Sequence, residues 1–428
     1  MSTVRPIAPG AVRWIVRTLE EAGYETWAVG GAVRDTLMGR TSVDWDLATK
    51  ATPQQVRKIF SRTVPVGIDH GTVGVLARDG VMYELTTFRR DVQTDGRHAL
   101  VEFAQCIEDD LSRRDFTINA IAWHPLRDEF YDPFGGEEDL SAGRLRTVGD
   151  ADQRFEEDYL RILRALRFAG RFDLHIEDVT WRSLVVSAHR LKTLSPERIR
   201  DELMKVLSID PSPSRALSLY REAGVIEVLY PEIGALREGL WDDVISVVNL
   251  LPVGRPKLRL AALLRPVAES DAARLLVRLR LSNADMDAVA RIASATELPS
   301  ADSDPRVLRR WLSRHGRVVM RGLSRIEIAS ARTGHGSKDP RMVVDSWNML
   351  RAELRTSPPL KVDDLAIDGG DLKRMGLKPG PVFGEILNEL LEHVLEEPQR
   401  NQKTILAHEV KQILGRRSLK LDADVDNL

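Results

Sequence analysis

Hydrophobic residues change their spacing near Asp152, and that change divides the chain into two architectures. Before it, short apolar runs alternate with turn signals. Trp27-Ala28-Val29 reads as a buried strand. Gly71–Leu76 and Val81–Phe88 read as two strands joined by Asp79-Gly80, a strong hairpin signal. Thr52–Phe60 reads as a helix, with a capping threonine and proline at its first helical position. After the change, apolar residues recur at helical spacing: Tyr159, Ile162, Leu163, Leu166, then Ile199, Leu203, Val206, then Ala216, Leu219, Tyr220. Pro211-Ser212-Pro213, Leu251-Pro252, Asp304-Pro305 and Thr356-Ser357-Pro358-Pro359 punctuate these stretches. The spacing predicts an α/β head followed by a long helical body, with no internal repeat and no low-complexity segment.

A chain of 428 residues, 43% of them hydrophobic, can build several cores, and its length suggests about two to four domains. A net charge of −2 means that any polyanion site is a local patch on a balanced surface. The single cysteine, Cys106, excludes an internal disulfide framework and a cysteine-rich zinc site, and reads as an inert small residue. No apolar run approaches membrane-spanning length, and Met1–Gly10 has no signal-peptide core. The expected location is the cytoplasm.

Chemistry concentrates first in the head. Gly30-Gly31 lets the backbone turn tightly and approach a ligand closely, and Val33–Met38 reads as the first turns of a helix whose N–H groups favour an anion. On a strand, Asp44 and Asp46 share one face and Trp45 takes the other. Two converging carboxylates repel unless a cation lies between them, and an oxygen-only set suits Mg²⁺ completed by water and substrate phosphates. A phosphate cradle beside such carboxylates points to nucleotidyl transfer; a surface turn and a solvated acidic strand is the bland alternative. Asp115 and Asn119 fall four apart, on one face of an expected helix, where they suit a ribose hydroxyl, and Arg113 and Arg114 suit phosphate. Asp158 and Arg161 are three apart on a helix. An acceptor beside a donor matches the amino group and ring nitrogen that cytosine and adenine both present. A capped helix with a charged rim and a surface ion pair are the alternatives for these two groups.

Taken in order, Gly30-Gly31-Ala32-Val33-Arg34-Asp35, Gly39-Arg40, Asp44-Trp45-Asp46, Arg113-Arg114-Asp115 to Asn119-Ala120, Asp132-Pro133-Phe134-Gly135-Gly136 with Asp139-Leu140, Glu157-Asp158 with Arg161, Arg164 and Arg167-Phe168, and Ser195-Pro196-Glu197-Arg198 resemble the motifs of class II tRNA nucleotidyltransferases. These are the CCA-adding enzymes, related to bacterial poly(A) polymerases. A weaker match runs through Ile367–Leu372 and Gly376–Gly384.

The resemblance implies an α+β fold: a nucleotidyltransferase head with a mixed sheet and helices (1–148), then an elongated all-α neck (149–212), body (213–300) and tail (301–428). It implies template-independent addition of CCA to tRNA lacking all or part of that end, from CTP and ATP. CC-only or A-only addition and poly(A) synthesis are the alternatives. Asp44 and Asp46 would hold two Mg²⁺ ions, with Glu84 as a third strand acid, ligand or not. Gly30, Gly31 and Arg34 would cradle phosphates; Arg114, Asp115 and Asn119 would select ribose; Asp158 and Arg161 would template the base, with Arg164 and Arg167 beside them. Asp139 would belong to a flexible joint. An intact Arg89–Ala99 loop favours full CCA addition, and the acidic Leu421–Leu428 argues against poly(A) synthesis. Arg265-Pro266 stands after Leu260–Leu264 where relatives carry a His-Asp pair, so a second phosphohydrolase activity is not expected. Basic residues of the neck (Arg164, Arg167, Arg171, Arg190, Lys192, Arg198) and tail (Lys373, Arg374, Lys378, Lys403, Lys411, Arg416, Arg417) are candidates for RNA contact. Oligomeric state is left open.

Overall fold

The computed structural model describes residues 5–42, 44–68, 71–94, 99–209, 211–334 and 338–416. They form two compact units. One runs up to Ala235 and includes Arg278–Arg280; the other comprises Leu236–Val277 and the chain from Leu281 onward. The residues expected to form head and neck share the first unit. The last stretch, Leu421–Leu428, and Arg417 lie outside the described residues.

The first unit opens with α1 (Gly10–Glu21), β1 (Thr26–Val29), α2 (Gly31–Leu37), β2 (Asp46–Thr49) and α3 (Pro53–Ile59). It continues with β3 (Thr63–Gly67), β4 (Thr72–Leu76), β5 (Met82–Thr87), β6 (Arg89–Thr94), β7 (Ala99–Phe103) and α4 (Ile107–Ser112). Then come β8 (Ala122–His124), β9 (Glu129–Tyr131) and α5 (Gly136–Ser141). Seven strands make one mixed sheet in the order β3-β4-β5-β2-β1-β8-β9, in which only β2 and β5 run parallel. Both faces are covered. Leu47, Leu85 and Val73 pack with Val12, Ile15, Val33 and Val56 of α1–α3, while Trp27, Val29 and Ala48 pack with Ile107 and Leu111 of α4.

Local chemistry accounts for these elements. Thr52 and Gln55 form a reciprocal capping box at the start of α3, worth about 1 kcal/mol. The Asp79-Gly80 turn joins β4 to β5 as expected, and the Asp79 carboxylate accepts from Val81 N–H at 3.0 Å and Tyr83 Oη at 2.9 Å. Within the Arg89–Ala99 segment expected as a loop, Arg89–Thr94 is strand β6, which pairs with β7 as a separate two-stranded sheet; 95–98 lie outside the described residues.

Beyond β10 (Arg144–Leu145), helices take over: α6 (Ala151–Glu157), α7 (Leu160–Phe172), then the short β11 (His175–Ile176), α8 (Asp178–Ser187), α9 (Pro196–Leu207), α10 (Ser214–Glu222), α11 (Val225–Leu229) and α12 (Pro231–Gly234). Helix α7 buries Ile162, Leu163, Leu166 and Ala169. Gly170 lets α10 come close, since a Cβ there would lie 2.4 Å from that of Ala216.

The second unit holds most of α13 to α21: α13 (Glu238–Leu250), α14 (Pro256–Leu264), α15 (Glu269–Arg278), α16 (Asn283–Ala293), α17 (Pro305–Thr333, sharply bent at Gly316), α18 (Pro340–Arg355), α19 (Gly369–Arg374), α20 (Pro381–Glu396) and α21 (Lys403–Arg416). Arginines close helix ends here by hydrogen-bonding the last free carbonyls. Arg309 donates to Leu395 O at 2.5 Å and Glu396 O at 2.9 Å, capping α20. Arg265 donates to Ile292 O at 3.1 Å and Ala295 O at 3.2 Å, capping α16. No helix among the described residues is long and apolar enough to cross a membrane.

Candidate active site

Sheet register builds the candidate catalytic corner. Val29, the last residue of β1, pairs with Asp46, the first of β2, so Gly30 lies directly beside Asp46. Leu47 pairs in parallel with Leu85, which sets Asp46 level with Glu84. Gly30 turns with φ +70°, and a Cβ there would lie 3.0 Å from Arg114 Nη1 and 3.9 Å from Asp46 Oδ2. A side chain at position 30 is therefore disfavoured twice, by backbone strain and by crowding.

Asp46 keeps solvent contact, yet the surrounding walls desolvate its carboxyl and push it up to about 6. Asp44 and Glu84 push the same way, and Arg114 opposes them. Trp45 turns away into the opposite core, as the alternation predicts. Asp44 itself precedes β2 and is exposed at the rim, so it is not held by strand pairing. Repelling carboxylates that supply only oxygen fit a hard divalent cation. Among the described residues, no three acidic, histidine or cysteine side chains converge as a self-sufficient metal site. Water and substrate phosphates would have to complete the shell. Divalent ions serve nucleotidyl transfer in this kind of head domain.

The corner opens into a cleft of about 690 Å³. Its walls carry Gly30, Gly31, Asp46, Glu84, Asp115, Asn119 and Asp158, with seven arginines: Arg34, Arg89, Arg113, Arg114, Arg161, Arg164 and Arg198. Buried acids hold the arginines in place. Asp110 bonds Arg113 at 3.2 Å and Arg114 at 3.0 Å. Burial pushes its carboxyl up, but the two arginines outweigh that and hold it below the usual range. Asp115 accepts from Arg164 Nε at 2.7 Å and Asn119 Nδ2 at 2.9 Å. There too burial opposes, and Arg164 with the Asn119 bond prevails, keeping Asp115 ionised. Arg34 donates to Asn119 Oδ1 at 2.5 Å and pairs with Asp35 at 2.5 Å.

Several expectations need correction. Asp115 and Asn119 do meet, but not on a helix: α4 ends at Ser112, and a single tight turn over Thr117–Asn119 brings them together. Asp158 is extended (φ −159°) between α6 and α7, and it does not share a helix face with Arg161. Their side chains do not bond each other, although Arg161 N–H donates to the Asp158 carbonyl oxygen at 3.0 Å. Arg198 holds Asp158 Oδ2 at 2.7 Å, and Glu157 holds Arg161 at 2.5 Å. Arg167 does not line the cleft; it is buried against Glu202 at 2.6 Å. Asp139, expected at a flexible joint, is fully buried and binds Thr117 at 2.6 Å, Arg144 at 2.5 Å and Arg146 at 3.0 Å. Cys106 is exposed.

Arg89, Arg198 and Phe168 line the cleft without having been singled out for it, as do Thr72 and Thr86. Phe168 and Arg198 stood in the family motifs, and Arg198 also follows the Ser195-Pro196 start of α9.

Comparisons with known proteins agree with this geometry. Residues 26–146 match the model of the poly(A) polymerase head domain, 173–236 that of a probable RNA- and SrmB-binding site of polymerase A, and 258–410 that of a tRNA nucleotidyltransferase domain 2. A CCA-adding enzyme of Anoxybacillus flavithermus is 35% identical over 398 residues, 91% of this chain and 93% of that protein. One from Lactococcus lactis is 34% identical over 94% of this chain and 96% of its own length. The crystal structure of the Bacillus stearothermophilus CCA-adding enzyme in complex with CTP superimposes with a TM-score of 0.76 at 31% identity, covering 95% of this chain and 98% of that one. The chain belongs to the CCA-adding enzyme family of tRNA nucleotidyltransferases.

Proposed function

We propose that this protein adds C, C and A to the 3′ end of tRNA, taking CTP and ATP and using no nucleic-acid template. The observation that carries this reading is the register that places Asp46 beside Gly30 and level with Glu84, at one end of a cleft walled by seven arginines and containing Asp158. The triphosphate is anionic along its length, and guanidinium groups bind phosphate oxygens through paired N–H donors. Arg114 stands beside Gly30 and Arg34 beside Gly31, and the glycine pair leaves room for phosphate. Asn119, held between Arg34 and Asp115, faces the ribose. Asp158 accepts from the exocyclic amino group of cytosine or adenine and Arg161 donates to the ring nitrogen, so one pair of side chains serves both bases. Uracil and guanine present the reverse pattern at those positions and are rejected.

Asp44 and Asp46 would hold Mg²⁺, which supplies charge neutralisation at the phosphates and lowers the pKa of the attacking hydroxyl. Glu84 shapes the electrostatics of Asp46 from the neighbouring strand. With tRNA, CTP and ATP as substrates, the place of work is the cytoplasm.

Extension of a tRNA lacking its CCA end, with each nucleotide withheld in turn, tests the reading. The expected product with both nucleotides ends in CCA. A product that stops at CC, or long A tails on unrelated RNA, would overturn it. Asp44→Ala and Asp46→Ala should each abolish turnover while tRNA affinity is kept, and retained activity would remove the metal assignment.

A further inference from the structure

Phe172 carries three guanidinium groups on one ring. The Cζ atoms of Arg34, Arg40 and Arg171 lie 4.6, 4.9 and 5.0 Å from its centroid. Each contact is attractive alone, but three like charges at one ring repel each other. Arg34 has Asp35 as its counter-ion. The side chains of Arg40 and Arg171 meet no carboxylate among the described residues, and both are exposed. They open into a cavity of about 710 Å³ that Arg167, Lys205 and Ser208 also line. The nearby acid, Glu202, is buried and already bonded to Arg167 at 2.6 Å and Lys205 at 2.9 Å. Four cations lining the cavity (Arg40, Arg167, Arg171, Lys205) thus share one nearby carboxylate, Glu202. This region is short of negative charge.

The geometry suits a phosphate. A guanidinium lying face-on to an aromatic ring keeps its in-plane N–H groups free to donate. None of the residues lining this cavity lines the nucleotide cleft, so the triphosphate has its own arginines elsewhere. One ring of the cleft wall nevertheless reaches Phe172 along α7. Phe168 lines the cleft, and it stacks on Phe172 with centroids 6.0 Å apart and planes 12° from parallel.

We propose that the cavity beside Phe172 binds the phosphodiester backbone of the RNA whose 3′ end is extended in the cleft. This rests on the function proposed above. Arg40 and Arg171 are the contacting groups, and Phe172 holds both in place.

The test is the full-length Arg40→Gln/Arg171→Gln variant, with binding of labelled tRNA lacking its CCA end measured without nucleotide over a range of salt. Two lost charged contacts should weaken binding by about tenfold or more. The plot of log affinity against log salt should flatten by about one unit or more. The KM for CTP at saturating tRNA should not move. The Arg40→Lys/Arg171→Lys variant should keep most of the salt slope, which separates lost charge from lost structure. Unchanged affinity and slope would overturn the proposal. So would a raised KM for CTP with tRNA binding intact, which would assign the cavity to the triphosphate. Because binding is read without turnover, failure of nucleotide addition would leave this result standing on its own.

Discussion

Removing Arg198 should blur the choice of nucleotide although Arg198 itself need not touch the base. Arg198 Nη2 donates to Asp158 Oδ2 at 2.7 Å, and Leu160 N–H donates to Oδ1 at 3.0 Å. These two bonds aim the Asp158 carboxylate. A charge-assisted bond in a dry site contributes about 1.5–3 kcal/mol. Here the side chains are 36% and 28% exposed, so solvent screening brings the expected contribution to about 1 kcal/mol. That corresponds to about fivefold in the preference for CTP over UTP in Arg198→Ala. The assay is single-turnover extension of a tRNA lacking its CCA end, with CTP and UTP compared for wild type, Arg198→Ala, Asp158→Asn and the double variant. If Arg198 acts through Asp158, the second substitution adds little to the first, and the cycle yields a coupling of about 1 kcal/mol. Strictly additive effects would refute the reasoning, as would an unchanged CTP/UTP ratio in Arg198→Ala.

Three further outcomes follow from the same geometry. Gly30→Ala forces a side chain onto a backbone at φ +70° with Arg114 3.0 Å away. It should cost about 1–3 kcal/mol of stability and lose most turnover, read by urea unfolding and extension assays; wild-type values in both would count against the crowding argument. Asp110, held below the ordinary carboxyl range, stabilises the fold above its unfolded pKa and loses that contribution as pH falls through its folded one. Asp110→Asn should therefore be less stable than wild type at pH 7, with the gap closing below about pH 4. Asp46 has the opposite sign: pushed up to about 6, its charge destabilises the folded state above that pH, and the penalty fades as pH falls towards about 4. With divalent ions chelated, Asp46→Asn should unfold at higher urea than wild type at pH 8 and lose that advantage near pH 4. A variant no more stable at pH 8 would mean that the carboxylates do not repel as described.

Much of the head was legible because its signals are local. Thr52 and Gln55 cap a helix three residues apart, and Asp79-Gly80 turns a hairpin with its own side chain. The glycine pair and Asp46 could also be named as a unit, since each has a role that few other residue types fill. What local pattern misplaced was connectivity. Asp115 and Asn119 were four apart and read as helical, but the chain breaks at Ser112 and bridges Phe116 to Thr147 instead. Arg167 looked equivalent to Arg164, yet one helical turn moves it from the cleft to Glu202. Burial of an ion pair, not spacing, decides which of the two arginines faces a ligand.

By itself, the order of residues determined which chemistry was possible: acids on or beside one strand, a backbone that can turn at Gly30, and helices from α6 onward set by their apolar period. Those properties depend on bond geometry and on neighbours a few positions away. Only the tertiary structure decided which groups meet. The pairing of β1 with β2 and of β2 with β5 sets Gly30, Asp46 and Glu84 side by side, although the chain separates them widely. The packing of α9 brings Arg198 to Asp158 across 40 residues. Charge interactions act through space, so their partners are fixed only once the core has chosen how its strands and helices pack.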